Sequence, residues 1–126
     1  MNMEEAGGRV VNDNAGVPLE VTLPPPCMKL TFIIMNEYLL RQVMEFLSLS
    51  KIDYYTRWDH VKGKGRGTEP HLGSGSSAST NSVLMIAFDE EAPLKALLEQ
   101  IGRFNAMVTR PDDRVRLFQV PLELMA

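Results

Sequence analysis

The chain has 126 residues, 44% hydrophobic and 23% charged, the balance of one globular domain in water. Its net charge of -3 does not suit a protein that meets nucleic acid or an anionic membrane with its whole surface, and its single cysteine, Cys27, excludes a disulfide framework or an intrachain thiolate metal cluster. No apolar run approaches the roughly 20 residues of a membrane helix, and Glu4 and Glu5 stand where a secretory leader is basic, so the expected setting is the reducing cytoplasm without direct membrane insertion.

Residues 1–27 differ from the rest. Residues 1–16 are polar and glycine-rich, residues 17–23 alternate briefly, and Pro24-Pro25-Pro26 stops any helix or central strand. This stretch reads as a disordered or loosely attached arm before a domain spanning 28–126. Met28, at the head of the first strong strand, is a candidate start of translation. Residues 29–35 (KLTFIIM) are apolar and β-prone without Gly or Pro, and predict a buried strand. Asn36 suits an N-cap. Leu39, Leu40, Val43, Phe46 and Leu47 then recur at helical spacing, which predicts a helix of about twelve residues.

Residues 53–61 (DYYTRWDHV) predict a second strand. A long excursion over about 62–82 follows, carrying Gly63, Gly65, Gly67, Gly73, Gly75 and Pro70. Residues 83–88 (VLMIAF) predict a third strand. Asp89 suits an N-cap, Glu90 and Glu91 suit the positive end of a helix, and Pro93 is tolerated in a first turn. Leu94, Leu97, Leu98 and Ile101 mark the helix's apolar stripe. Residues 114–120 (RVRLFQV) alternate as a last strand stopped by Pro121.

The order strand, helix, strand, loop, strand, helix, strand predicts an α+β chain with the ferredoxin-like split βαβ sandwich, two helices on one face of a four-stranded antiparallel sheet. The first and third strands are continuous apolar runs, so the sheet's second face also needs a cover. Another copy of the chain is the simplest one.

Two to five residues suffice for a hairpin, so the excursion needs a reason. Arg57, Lys62, Lys64 and Arg66 against Asp59 give a local positive charge on an acidic protein. Lys62, Lys64 and Arg66 alternate with Gly63, Gly65 and Gly67, an arrangement in which backbone N–H groups can cradle phosphate oxygens. No Gly-Lys-Ser/Thr follows at Walker A spacing and no helix opens after it. The bland alternative is a solvated loop, and residues 72–80 are expected to be mobile because they cannot bury enough apolar surface to offset their ordering entropy.

At the end of a second strand in this arrangement, "VKGKGRG" resembles the PII signalling family, in which Val-Lys-Gly-x-Gly-Arg begins a long T-loop. The resemblance covers about residues 28–123. "MKLTFII" is similar to the family's opening strand and "FQVPLE" to its closing strand. The resemblance implies a homotrimer with an adenine nucleotide (ADP, AMP or ATP, with or without Mg²⁺) in clefts between subunits, and a T-loop that docks on a membrane transporter or an enzyme. Carried over, Gly63, Gly65 and Arg66 form the loop base at the nucleotide, Thr109 lies near the adenine, and Arg116 is a phosphate ligand. Arg57 falls where the family has a threonine near the base. "TRPDDRVR", residues 109–116, becomes the phosphate-facing B-loop, without the family's glycines. Gly67 replaces a glutamine that helps hold Mg²⁺ and 2-oxoglutarate, no tyrosine lies between Lys62 and Ser82, and the last five residues lack basic side chains.

Other residues carry weaker expectations. Tyr54, Tyr55 and Trp58 suit core or interface packing more than stacking on a base. Asp59, His60 and His71 could bind a metal only if a flexible loop brought them together. Ser74, Ser76, Ser77 and Ser79 have linker composition. No nucleophile–base pair and no paired carboxylates are evident, so no enzyme is expected. A nucleotide-sensing regulator leads, ahead of a metal-binding or metal-tolerance trimer of the same fold. A nucleic-acid binder using "KGKGRG" comes last, because the loop has no aromatic residue to stack on bases.

Overall fold

The computed structural model describes residues 9–12, 18–21, 28–66, 69–73, 79–123 and 125–126. The expectations placed on the rest of the arm, on Cys27 and Gly67, and on residues 74–78 of the loop lie outside the described residues. Within the arm, β1 (Arg9–Asn12) and β2 (Pro18–Val21) pair antiparallel with each other, Val10 opposite Glu20 and Val11 opposite Leu19.

The main sheet has the order β4-β5-β3-β6, every neighbour antiparallel. β3 (Lys29–Asn36) and β5 (Asn81–Phe88) occupy the centre and pair over all eight residues of each. The outer positions belong to β4 (Thr56–Val61) and β6 (Arg116–Pro121). Pro121 closes β6 opposite Lys29, at an edge where a missing N–H is tolerated. α1 (Leu40–Leu49) follows β3 and α2 (Glu91–Met107) follows β5. This is the split βαβ sandwich expected from the order of elements.

Strand alternation divides the sheet into two faces. Thr31, Ile33 and Met35 of β3 and Ser82, Leu84, Ile86 and Phe88 of β5 are buried, together with Val43 and Leu47 of α1 and Leu94, Leu97 and Ile101 of α2. Burial of each large apolar side chain there contributes about 1.5–3 kcal/mol. On the opposite face, Phe32 stands across from Met85 and Phe118, and Leu30 across from Val120. Phe118 and Val120 remain exposed, and Phe32 and Met85 are half-buried. Trp58 joins this face opposite Val83 and is also exposed.

The second strand is shorter than its sequence suggests. β4 begins at Thr56: Asp53 and Tyr55 are exposed outside the ladder, and the Tyr54 ring packs instead, meeting the edge of Phe88 at 6.2 Å near the buried Ile52. The β4–β5 register shifts between Trp58 and Val61, and His60 there adopts a left-handed φ of 59°. Asn36 caps a 3-10 turn (Glu37–Leu39) ahead of α1, its Oδ1 accepting from the Tyr38 amide at 3.4 Å. α2 starts after Glu90, not Asp89, and no side chain caps it. It runs beyond its apolar stripe to Met107, held by Phe104 packing edge-on to Phe46 at 6.0 Å.

Candidate functional site

Where β4 gives way to the loop, the chain meets the start of β6 and the 3-10 turn Pro111–Asp113, and a cavity of about 400 Å³ opens between them. Its apolar wall is the uncovered sheet face, represented by Ile34, Val83 and Phe118. Its rim carries Lys62, Lys64, Arg66, Arg114 and Arg116 against two carboxylates, Glu69 and Asp112. Asp112 is already engaged: its Oδ1 accepts from the Glu69 amide at 2.9 Å, and its Oδ2 lies 3.6 Å from the Arg110 guanidinium. An apolar wall beside a largely uncompensated cationic rim fits a ligand with an apolar body and an anionic end.

The loop is tied back to its own root. The Gly63 amide donates to the His71 carbonyl at 2.8 Å, and the His71 amide donates to the Gly63 carbonyl at 2.6 Å. The His71 ring is buried between Asn81 and Asn36. A Cβ on Gly63 would sit 2.8 Å from the Asn81 Nδ2, so a larger residue there would displace the Asn81 side chain. Further along, the Gly73 amide donates to the Ser79 carbonyl at 3.2 Å, with Gly73 at a φ of 82°.

Thr80 then joins the 3-10 turn after β3. The Glu37 amide donates to its carbonyl at 2.9 Å, and its hydroxyl donates to the Glu37 carboxylate at 2.7 Å. That hydroxyl is the main reason the Glu37 carboxyl sits below its ordinary value, with the Thr80 backbone and His60 acting the same way against some desolvation. Tyr38 donates its hydroxyl to Asp113, linking the same turn to Pro111–Asp113.

Of the residues singled out from sequence, Gly63, Gly65, Arg66 and Arg116 line the same cavity. Thr109 is exposed in the link between α2 and the 3-10 turn, outside that lining. Arg57 is exposed on β4 and pairs with Asp59 at 3.1 Å. Asp59, His60 and His71 have separate partners: Arg57 and Ser82 for Asp59, Glu37 for His60, and the two asparagines for His71. Among the described residues, no group of three or more His, Cys, Asp or Glu side chains is placed to hold a metal ion. Asn81 carries no sequence expectation, and the expectations of an N-cap for Asn36 and a metal ligand for His71 do not include their meeting at the loop root. The one local hint was an isolated histidine beside Pro70 in an otherwise small and polar stretch.

No family model and no curated protein sequence matches the chain. Solved structures do. CPII, a nitrogen regulatory PII-like protein from Thiomonas intermedia K12 bound to ADP, AMP and bicarbonate, superposes with a TM-score of 0.54 at 18% identity, over 79% of this chain and 93% of that one. The chain has the PII-like fold. The same protein bound to ADP and bicarbonate gives 0.56 at 18% identity, over 75% and 87% of the two chains. A PII-like signalling protein from Thermus thermophilus gives 0.50 at 18% identity, over 75% and 86%. Among the described residues, no helix of the chain is long and apolar enough to cross a membrane.

Proposed function

We infer that the chain is a PII-like signalling protein, active as a cytoplasmic homotrimer, that binds an adenine nucleotide at the root of its loop and regulates a transporter or an enzyme through that loop. The observation that carries this reading is the cavity joining Gly63, Gly65 and Arg66 to Arg116 beside an apolar wall. Its chemistry suits a phosphate chain and a flat base, and structural neighbours of the same fold were crystallised with ADP and AMP. The excursion serves as the T-loop: a ligand that orders its root lowers the entropic cost of docking the remainder on a partner. The role is that of a binding module, not an enzyme.

Isothermal titration of the full chain with ATP, ADP and AMP, with and without Mg²⁺, tests the reading. At least one nucleotide should bind, and Arg66→Ala and Arg116→Ala should each weaken it about ten- to a hundredfold, the loss of a charge-assisted contact of roughly 1.5–3 kcal/mol. A flat titration at millimolar nucleotide would end the reading. Unchanged affinity in both variants would move the ligand elsewhere.

A further inference from the structure

Asn81 opens β5 at the loop root, opposite Val61 of β4 and Asn36 of β3. By strand alternation its side chain shares the uncovered sheet face with Val83, and both line the large cavity. One half of its amide is engaged. Oδ1 lies 2.6 Å from Nδ1 of His71, and Asn36 closes the clasp on the ring from the other side, its Nδ2 3.4 Å from Nε2. An amide oxygen only accepts and an amide nitrogen only donates. Asn36 turns its nitrogen to the ring because its Oδ1 caps the Tyr38 amide. Nε2 therefore accepts, and Nδ1 carries the hydrogen that Asn81 Oδ1 receives.

The other half of the Asn81 amide is free. Among the described residues Nδ2 has no hydrogen-bond partner, and no buried side-chain polar atom there lacks one, so this nitrogen is open to the cavity. It lies beside Gly63, where the absence of a side chain leaves it room. The Gly63 amide itself donates to the His71 carbonyl at 2.8 Å and is not available to a ligand. At this point of the loop root the unengaged donor is thus a side chain and not the backbone. Lys62, Lys64 and Arg66 line the same cavity from the loop. Arg116 stands opposite Ile34, which is opposite Val83, two residues along from Asn81. Glu69 lines the cavity as well, outnumbered by these cations. An N–H donor without a partner in a cationic setting selects an anionic oxygen.

We propose that Asn81 is a ligand-contacting residue that sets specificity: its Nδ2 donates to an oxygen of the phosphate next to the ribose, and so separates nucleotides from nucleosides. The assignment rests on the nucleotide reading of the cavity. That phosphate is singled out by position. Val83 and Ile34 form the apolar wall, and Asn81 ends their side of the sheet face at the loop, where a flat base gives way to a phosphate chain. AMP, ADP and ATP all carry this phosphate, so the contact strengthens all three alike.

The test is titration of the full chain with AMP, ADP and adenosine, together with nitrogen–proton spectra of the Asn81 side-chain amide. Asn81→Asp keeps an oxygen for His71 and replaces the free N–H group with an acceptor. It should weaken AMP and ADP by at least about tenfold, the loss of one charge-assisted donor. Adenosine affinity should change far less, and the Gly63 and His71 amides should stay as protected from exchange as in the wild type. In the wild type the Asn81 amide protons should move downfield on saturation with AMP and stay in place with adenosine. Unchanged AMP affinity in Asn81→Asp, an equal loss for adenosine, or an amide signal indifferent to AMP would each overturn the contact. Weakening that comes only with lost protection at Gly63 and His71 would make Asn81 a structural residue and overturn it too. If the wild type binds AMP or ADP and these signs are missing, the contact fails and the nucleotide reading stands. If the wild type binds no nucleotide, both fail.

Discussion

Gly63 shows how one hydrogen in place of a methyl group organises the site. The atom that a Cβ would meet at 2.8 Å is the end of the Asn81 side chain, which can swing away cheaply. Swinging away takes Oδ1 off His71. Gly63→Ala is therefore expected to cost only about 1 kcal/mol in urea denaturation, one side-chain hydrogen bond, while reducing nucleotide affinity in the same titration used for the wild type. Glu37 supplies a second expectation. Because its folded-state pKa is lowered, its contacts stabilise the fold above the ordinary carboxylate range and are lost as pH falls through the lowered value. Thr80→Val removes the largest of those contacts, so the Glu37 carboxyl should titrate at higher pH in the variant, read from its carbon resonance. The loop root was legible in sequence because alternating glycine and cation is a local pattern. The clasp was not: Asn36 is 35 residues from His71 and meets it only once β3 and β5 lie side by side.

Among the elements, Asn105 near the end of α2 does the work of a strand. Its side-chain amide donates to the Val115 carbonyl at 2.7 Å, and its Oδ1 accepts from the Val115 amide at 2.9 Å. Val115 is buried, and it directs the chain from the 3-10 turn into Arg116. Asn105→Ala leaves both backbone groups without those partners and should destabilise the fold by about 1–3 kcal/mol in chemical denaturation. Leu84→Ala, at the centre of the core, should cost about 2–5 kcal/mol. β3 and β5 were readable as strands because central strands flanked on both edges are apolar throughout. Residues 53–55 misled for the same reason: Tyr54 is apolar and β-prone, but it serves packing on Phe88 instead of a ladder. The extra length of α2 depended on the Phe104–Phe46 contact, which no helical stripe reveals.

For the whole molecule, the uncovered sheet face matters most. Phe32, Met85, Phe118 and Trp58 lie on one side of a sheet whose central strands bury their other side in the core. An apolar face of this kind in water calls for a partner surface. A homotrimer is expected, and light scattering at micromolar concentration should give three times the chain mass; a monomer mass would refute it. Phe118→Asp, on the exposed outer strand, should shift the mass toward the monomer without unfolding the helix-covered side. The continuous apolar runs made the need for a cover visible in the sequence. The number of copies depends on the angle at which two faces meet, so the expectation of three rests on the family resemblance and not on the apolar pattern.

The pairing of Gly63 with His71 has a consequence for how the excursion can vary. Together with the Gly73–Ser79 bond, it closes one long connection twice, a first lobe between Gly63 and His71 and a second between Gly73 and Ser79. Loop-closure entropy rises only slowly with length and is set by the closing pair. The second lobe can therefore lengthen, shorten or accept a foreign peptide while the first keeps its span and its place at the cavity. Under the proposed function the second lobe is the one to vary between targets, and a reporter sequence inserted after Gly75 should leave the Gly63–His71 pairing intact.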